Sequence, residues 1–318
     1  MPGQRSNPTE RVVRLLETLR AGSGAGRRFA DLARAADLSQ ATGHAILLTL
    51  ADAGYVVRDA ETRTFSLGPA LVSLGTAASA TFPEVRAAAG DLASLAARTG
   101  LACSAARVVD DSITVLAVVG PDRIELPIRE GTRVPFAPPF GAIHVAWSGD
   151  AAIDAWITRA PRPALTPQRL RRVIDDHRRT HVAIAPYTDS SARLREALGE
   201  LAVDALARDV RERTLELLAA IDELDYTSDA LDHGERLPVN TVTAPVFDSS
   251  GKTSFAVALH VADPELGVAT IRALAGELRA ATEAITATVG GRLPDDMTEE
   301  PFTSTGHRRA GVLTGGTP

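Results

Sequence analysis

The sequence predicts an α+β protein in two parts: a small head of three helices and a β-hairpin, and a larger domain of antiparallel hairpins and helices, joined by a helical linker. Three observations carry that reading. At 318 residues and 45% hydrophobic content, the chain is long for a single core and apolar enough to fill two. Near the N-terminus, apolar residues recur at helical spacing. Further along, two stretches alternate with period two around short polar turns.

The elements follow in order. ERVVRLLETLRAG places Val12, Val13, Leu15, Leu16 and Leu19 on one broad helical face and stops at Gly22. After the flexible GSGAGRR, FADLARAADLS is a short helix with Leu32 and Ala36 inward. Ser39 caps a third helix, in which Ile46, Leu47 and Leu50 repeat at helical spacing. Beyond Gly54, YVVRD and RTFSLG are β-prone runs around DAET, a hairpin. Three helices and a hairpin make a winged helix-turn-helix over residues 8–67.

LVSLGTAASA then forms a linker helix over 68–83, and its small-residue faces suit packing against another copy. Pro83 opens a helix ending at Gly100, with Val85, Ala89, Leu92, Leu95 and Ala96 as its stripe. LACSAARVV and SITVLAVV make one hairpin around Asp110-Asp111; NTVTAPVF and KTSFAVALHV make a stronger one around DSSG. In the last strand Phe255, Val257, Leu259 and Val261 share a face, and Ala256, Ala258 and His260 share the other. Residues 166–225 read as helical, and 265–288 as a helix carrying Leu266, Ile271, Leu274 and Leu278. This second domain spans 84–290; the tail, 291–318, is expected to be disordered.

A net charge of −6 excludes a chain-wide nucleic-acid surface and confines any such site to one region. Residues 1–75 hold nine arginines against seven acidic residues, a net +2, which leaves −8 for the remainder. A single cysteine, Cys103, excludes an intramolecular disulfide and a cysteine-based zinc site, and suits a reducing cytosol. The uncharged run TFSLGPALVSLGTAASATFP is broken by Gly68, Pro69, Gly75 and Pro83, unlike a membrane span, and MPGQRSNPTE has no signal-peptide core.

The runs ERVVRLLETL, LSQATGHAILLTLADAGYVVRDAETRTFSLGPALVSLG, GDLASLAARTG, PFGAIHVAW and TVTAPVFDSSGKTSFAVAL, in that order over residues 9–288, resemble the IclR family of bacterial transcription regulators. The resemblance implies a GAF-like effector-binding domain behind the winged helix, and a homodimer or homotetramer. Its partners would be double-stranded operator DNA and a small-molecule effector of the organic-acid class, with no cofactor and no membrane. The recognition helix departs from the family pattern: Gln40 stands where a basic residue is usual, Ala45 where Arg is usual, and Gly43 where a bulkier apolar residue is usual. The stretch before TVTAPVFD is also longer than usual, and either THVAIAPYTD or LDYTSDALDHG could be the matching segment.

In such a helix Gln40 can pair with adenine, Thr42 can meet a thymine methyl, and His44 can donate or accept. Ser39 stands at its start, and phosphate positioning falls to Arg11, Arg14, Arg27, Arg28, Arg58 and Arg63. An ordinary solvated face is the competing reading of the same residues. For the effector, the resemblance points to Gly141, Ala142, Thr241, Ala258 and His260; small residues leave room, while Thr241 and His260 can hold an anion. A structural role for His260 is equally open. Among enzyme-like patterns, His177 and His181 stand at i, i+4 without a HExxH glutamate, and Ser249 and Lys252 have SxxK spacing inside a turn. The expected function is a non-enzymatic, ligand-responsive regulator; the alternative is a sensor or scaffold whose winged helix binds protein rather than DNA.

Overall fold

The computed structural model describes residues 6–20, 26–121, 126, 128–160, 165–203, 208–221 and 223–294. The head is built from α1 (Asn7–Arg20), β1 (Arg27–Arg28), α2 (Phe29–Ala35), α3 (Gln40–Asp52), β2 (Val56–Arg58) and β3 (Thr64–Leu67). Its core gathers Leu15, Leu19, Leu32, Ala36, Leu47, Leu50, Val56 and Phe65. Each large side chain buried there stabilises by about 1.5–3 kcal/mol against exposure. Val13, expected inward, is 41% exposed, so the inward stripe of α1 is narrower than its run of apolar residues. The two-residue β1 is not legible as a strand. It exists because β3 offers it an edge, giving an antiparallel sheet in the order β1-β3-β2.

The linker follows as α4 (Ala70–Ser79), in which no residue is buried. The expected single helix after it is two, α5 (Pro83–Ala87) and α6 (Ala89–Thr99), and the break shifts the phase so that Ala88 is buried and Ala89 exposed. The hairpin β4 (Ala102–Val109) and β5 (Ser112–Val119) turns at Asp110, whose φ is 53°. After it come β6 (Arg133–Pro135), α7 (Ala142–Val145), α8 (Asp150–Ile157) and α9 (Pro167–Thr180).

Residues 166–225 are not helical throughout: after α9 comes β7 (Ala183–Pro186), and only then α10 (Asp189–Val203) and α11 (Arg208–Ala220). Ala-Ile-Ala-Pro has little intrinsic strand preference. Pairing with β8 decides its state. Past α12 (Ser228–His233), the main hairpin is longer than expected, β8 (Arg236–Phe247) and β9 (Thr253–Gly267), so Leu266 ends a strand rather than starting α13 (Val268–Thr288).

These strands form one antiparallel sheet, β6-β5-β4-β9-β8-β7. Its core face carries Phe255, Val257 and Leu259, all fully buried, against α6 and α13. The opposite face is partly covered by α7, where Ile143 packs on Ala256 and Ala183. A separate cluster around Trp156, Leu170 and Ile174 joins α7, α8 and α9. Of the tail expected to be disordered, only 291–294 lie within the described residues. No helix among the described residues is long and apolar enough to cross a membrane.

Candidate nucleic-acid interface and ligand face

The start of α3 is organised by its own side chains. Ser39 Oγ accepts the Thr42 N–H at 3.2 Å and donates to Thr42 Oγ1 at 2.9 Å, which makes Ser39 a working N-cap and ties Thr42 to it. Gln40, Ala41, His44, Ala45 and Leu48 are exposed along the helix. No acidic residue occupies the first turn, so the positive end of the helix dipole is left open for an anion. Gly43 is buried against α2, where an added Cβ would stand 3.0 and 3.1 Å from two carbons of the Phe29 ring. The other neighbour of that ring is His44, stacked on it with centroids 4.0 Å apart and planes within 5°. The glycine that weakens the helix locally thus lets α2 and α3 approach closely, and the same ring fixes His44.

Three of the arginines assigned to phosphate, Arg27, Arg28 and Arg58, lie together on the wing sheet. Phe65 of β3 pairs with Arg27 on one side and Arg58 on the other, and Arg28 pairs with Thr64. The wing turn is held by Asp59, whose carboxylate accepts the N–H groups of Glu61 at 2.8 Å and Thr62 at 3.0 Å, which lowers its pKa. Arg63 follows with φ 55° and is exposed, as are Arg11, Arg28 and Arg58; Arg14 is half-buried. Sequence spacing gives no hint that β1 brings Arg27 and Arg28 beside Arg58.

In the larger domain, Thr241 pairs directly with His260, and Ala258 lies between Thr243 and Ser104 in the adjoining row. Ala183 continues that row across β7, giving a bed of small side chains. His260 Nε2 lies 2.9 Å from Ser104 Oγ, the donor being set by the imidazole tautomer. Burial first, and the nearby Arg195 charge second, push the His260 pKa down to about 4, so the ring is neutral at physiological pH. Val239 and Val242 are both fully buried in the core, so Asn240 and Thr241 between them turn to the other side, at an irregularity in β8. There Asn240 Oδ1 accepts from Arg195 Nη1 of α10 at 3.4 Å.

Arg195 is half-buried, and no carboxylate among the described residues forms an ion pair with it. Ser104, Arg195 and Asn240 thus join the candidate ligand face without having been singled out in the sequence. Ser104 could have been found by pairing two alternating strands in register. Arg195 carries no local signal, because only the packing of α10 brings it to the sheet.

Gly141 and Ala142 sit differently from the other three expected ligand residues. Gly141 has φ 93°, and a Cβ there would fall 2.6 Å from the Phe136 ring, so both conformation and space demand glycine. Ala142 is buried in the cluster around Trp156, and α7 reaches the bed through Ile143 instead. His144 of the same helix is buried, and desolvation pushes its pKa down to about 4.

Among the enzyme-like patterns, His181 has left the helix of His177, with φ 58°. His177 Nε2 is 3.3 Å from Asp225 Oδ2. That contact has ion-pair distance but not hydrogen-bond alignment. No group of three metal-ligating side chains occurs among the described residues. Ser249 and Lys252 are exposed in the β8–β9 turn. Burial pushes the Cys103 thiol up to about 11, which leaves it protonated and unreactive.

A helix-turn-helix with a wing, joined by an exposed helix to a domain built on an antiparallel sheet, is the architecture of a one-chain DNA-binding regulator. Residues 8–60 match the IclR helix-turn-helix domain. The head of the chain thus carries a helix-turn-helix of the IclR type, the DNA-binding domain of that group of transcription regulators. Over about nine tenths of its length the chain shares the fold of solved IclR-type regulators. IclR of Thermotoga maritima is 14% identical with a TM-score of 0.58, covering 89% of this chain and 99% of that one. HmgR of Pseudomonas aeruginosa is 19% identical at 0.55, covering 90% and 100%. An IclR homolog from Microbacterium hydrocarbonoxydans, solved with 4-hydroxybenzoate, is 16% identical at 0.54, covering 89% and 98%. No curated protein matches the sequence.

Proposed function

We propose that the chain is a cytoplasmic, non-enzymatic regulator that binds operator DNA through residues 8–67 and a small organic acid through the domain spanning 84–290, the linker at 68–83 relating the two. The observation that carries the DNA-binding half is the family's helix-turn-helix with α3 exposed beside a wing sheet of arginines. Gln40, Thr42 and His44 read bases, while Arg11, Arg28, Arg58, Arg63 and the open end of α3 hold phosphates. Leu48, 65% exposed on the same helix, adds apolar contact suited to thymine methyls. The acid would sit on the bed at Ala258, paired by Arg195, Thr241 and Ser104, with neutral His260 as a further hydrogen-bond partner. Support comes from Arg195, which has no ion-pair partner among the described residues, and from the aromatic acid with which the structural neighbour was solved.

The test is mobility shift with the DNA upstream of the chain's own coding region. Arg63→Ala should weaken binding to all sequences and reduce the slope of log affinity against log salt by about 1, whereas Gln40→Ala should change sequence preference. Unchanged binding in both variants would reject the assignment. Addition of 4-hydroxybenzoate and other small aromatic acids should shift operator affinity in the wild type and not in Arg195→Ala. A homodimer or homotetramer is proposed with this reading, because α4 leaves Val72 71% and Leu74 51% exposed.

A further inference from the structure

A half-open cavity of about 330 Å³ lies where the linker meets the body, walled by Phe82 and Val85 on one side and by Val115 and Leu116 of β5 on the other. Its volume falls at the lower end of the range for small-molecule sites, about 300–1,000 Å³. Strand pairing separates it from the His260 bed. Thr114, which also lines the cavity, pairs with Arg107, and Arg107 alternates with Cys103 and Ala105 on the core face of the sheet. Ser104, which contacts His260, faces the other way.

The lining has a definite chemistry. Val85, buried, and Leu116, half-buried, both belong to the apolar cluster of the core face and form the floor. Thr114 Oγ1 is buried and has no hydrogen-bond partner among the described residues, and a hydroxyl left so is destabilising unless an occupant pairs with it. Arg86 and Glu130 stand exposed at the rim, one charge of each sign, so the cavity offers no net charge to hold an ion. Apolar walls make bringing an ion in unfavourable.

We propose that this cavity is a second ligand site, distinct from the His260 bed, for a small neutral and largely apolar molecule whose one hydroxyl or carbonyl pairs with Thr114. Ala78 and Ser79 at the end of α4 complete its wall, so an occupant touches the linker and the body at once. Ligand bound here alters the contact through which the linker leaves the body.

Phenol is a suitable probe, titrated into the full chain by calorimetry with benzoate as the charged control of similar size. Phenol should bind saturably, and benzoate at least about tenfold more weakly. Thr114→Val keeps the shape and should weaken phenol about fivefold, the usual net worth of one neutral hydrogen bond. Ala89→Phe, at an exposed helical position lining the cavity, should abolish binding, and His260→Ala should leave it unchanged. If Ala89→Phe does not fold, Ala78→Phe fills the same space from the linker. Absence of saturable binding, equal affinity for benzoate, full binding in the filled variants, or loss in His260→Ala rather than Thr114→Val would each overturn the proposal. So would a filled variant that falls apart into monomers when the wild type takes no phenol, since the cavity would then belong to a second copy.

Discussion

The two ends of the chain treat apolar surface in opposite ways. Every large hydrophobic side chain left exposed among the described residues lies in the head and linker: Val13, Leu48, Val57, Leu67, Val72 and Leu74. From α5 onward none does, and the sheet there buries Phe255, Val257 and Leu259 completely. The difference teaches that the body closes over its apolar surface, whereas the head and linker leave theirs open, surface that the proposed function gives to DNA at α3 and to a second copy at α4. The body hides polar groups as well, with two histidines kept neutral by burial.

Acid should expose that contrast most strongly. His144 and His260 have folded pKa values of about 4 against an ordinary 6.5, so the unfolded chain takes up their protons first as pH falls. Their contribution is present above pH 6.5 and is lost progressively between 6.5 and 4, up to roughly 3 kcal/mol for each. His233 works in the opposite sense, raised by its bond to the Asp229 carbonyl and by the Asp229 carboxylate, but it is exposed and its effect small. Both tryptophans, Trp147 and Trp156, lie in the body, so their fluorescence in urea titrations reports on that unit alone. The wild type should lose stability from pH 7 to 4.5 and a His144→Leu, His260→Gln variant should not; a parallel loss in both would dismiss the histidines as the cause.

The linker offers the next effect in size. A Val72→Glu, Leu74→Glu variant should weaken self-association by about 2–4 kcal/mol, since fully burying either side chain yields about 1.5–3 kcal/mol. Light scattering should show dissociation, with the urea midpoint of the body unmoved. An unchanged oligomer would place the interface elsewhere.

Gly43 should give the smallest change. Gly43→Ala gains helix propensity of about 0.8–1 kcal/mol but presses on Phe29, and the two should nearly cancel. Gly43→Ile cannot cancel and should destabilise the head by about 1–3 kcal/mol. Circular dichroism melts of the two variants measure the difference, and an isoleucine tolerated without loss would mean that α2 moves freely from α3.

The same position shows how far sequence reading reaches. Glycine in α3 reads as a weakness from propensity alone, because its reason, the Phe29 ring, belongs to another helix. Two-residue β1 and Ala-rich β7 are invisible for a related cause, since each is a strand only through its neighbour. The boundary at Leu266 moved because continued pairing of β9 with β8 at Leu237 outlasted the helical pattern. By contrast, Ser39 as a cap and the alternation of Phe255, Val257 and Leu259 were legible, because capping and strand period act within a few residues.

By itself, then, the sequence determined the order of helices and hairpins, the local charge of the head and the inward face of the main strand, all properties of short-range periodicity and composition. Tertiary structure decided which residues meet. It set Arg27 and Arg58 astride Phe65, and Ser104 against His260. It brought Arg195 from α10 to Asn240, and left a cavity between linker and sheet. Those contacts join residues 31 to 156 positions apart along the chain or depend on strand register, and neither distance in space nor register is encoded in any short stretch.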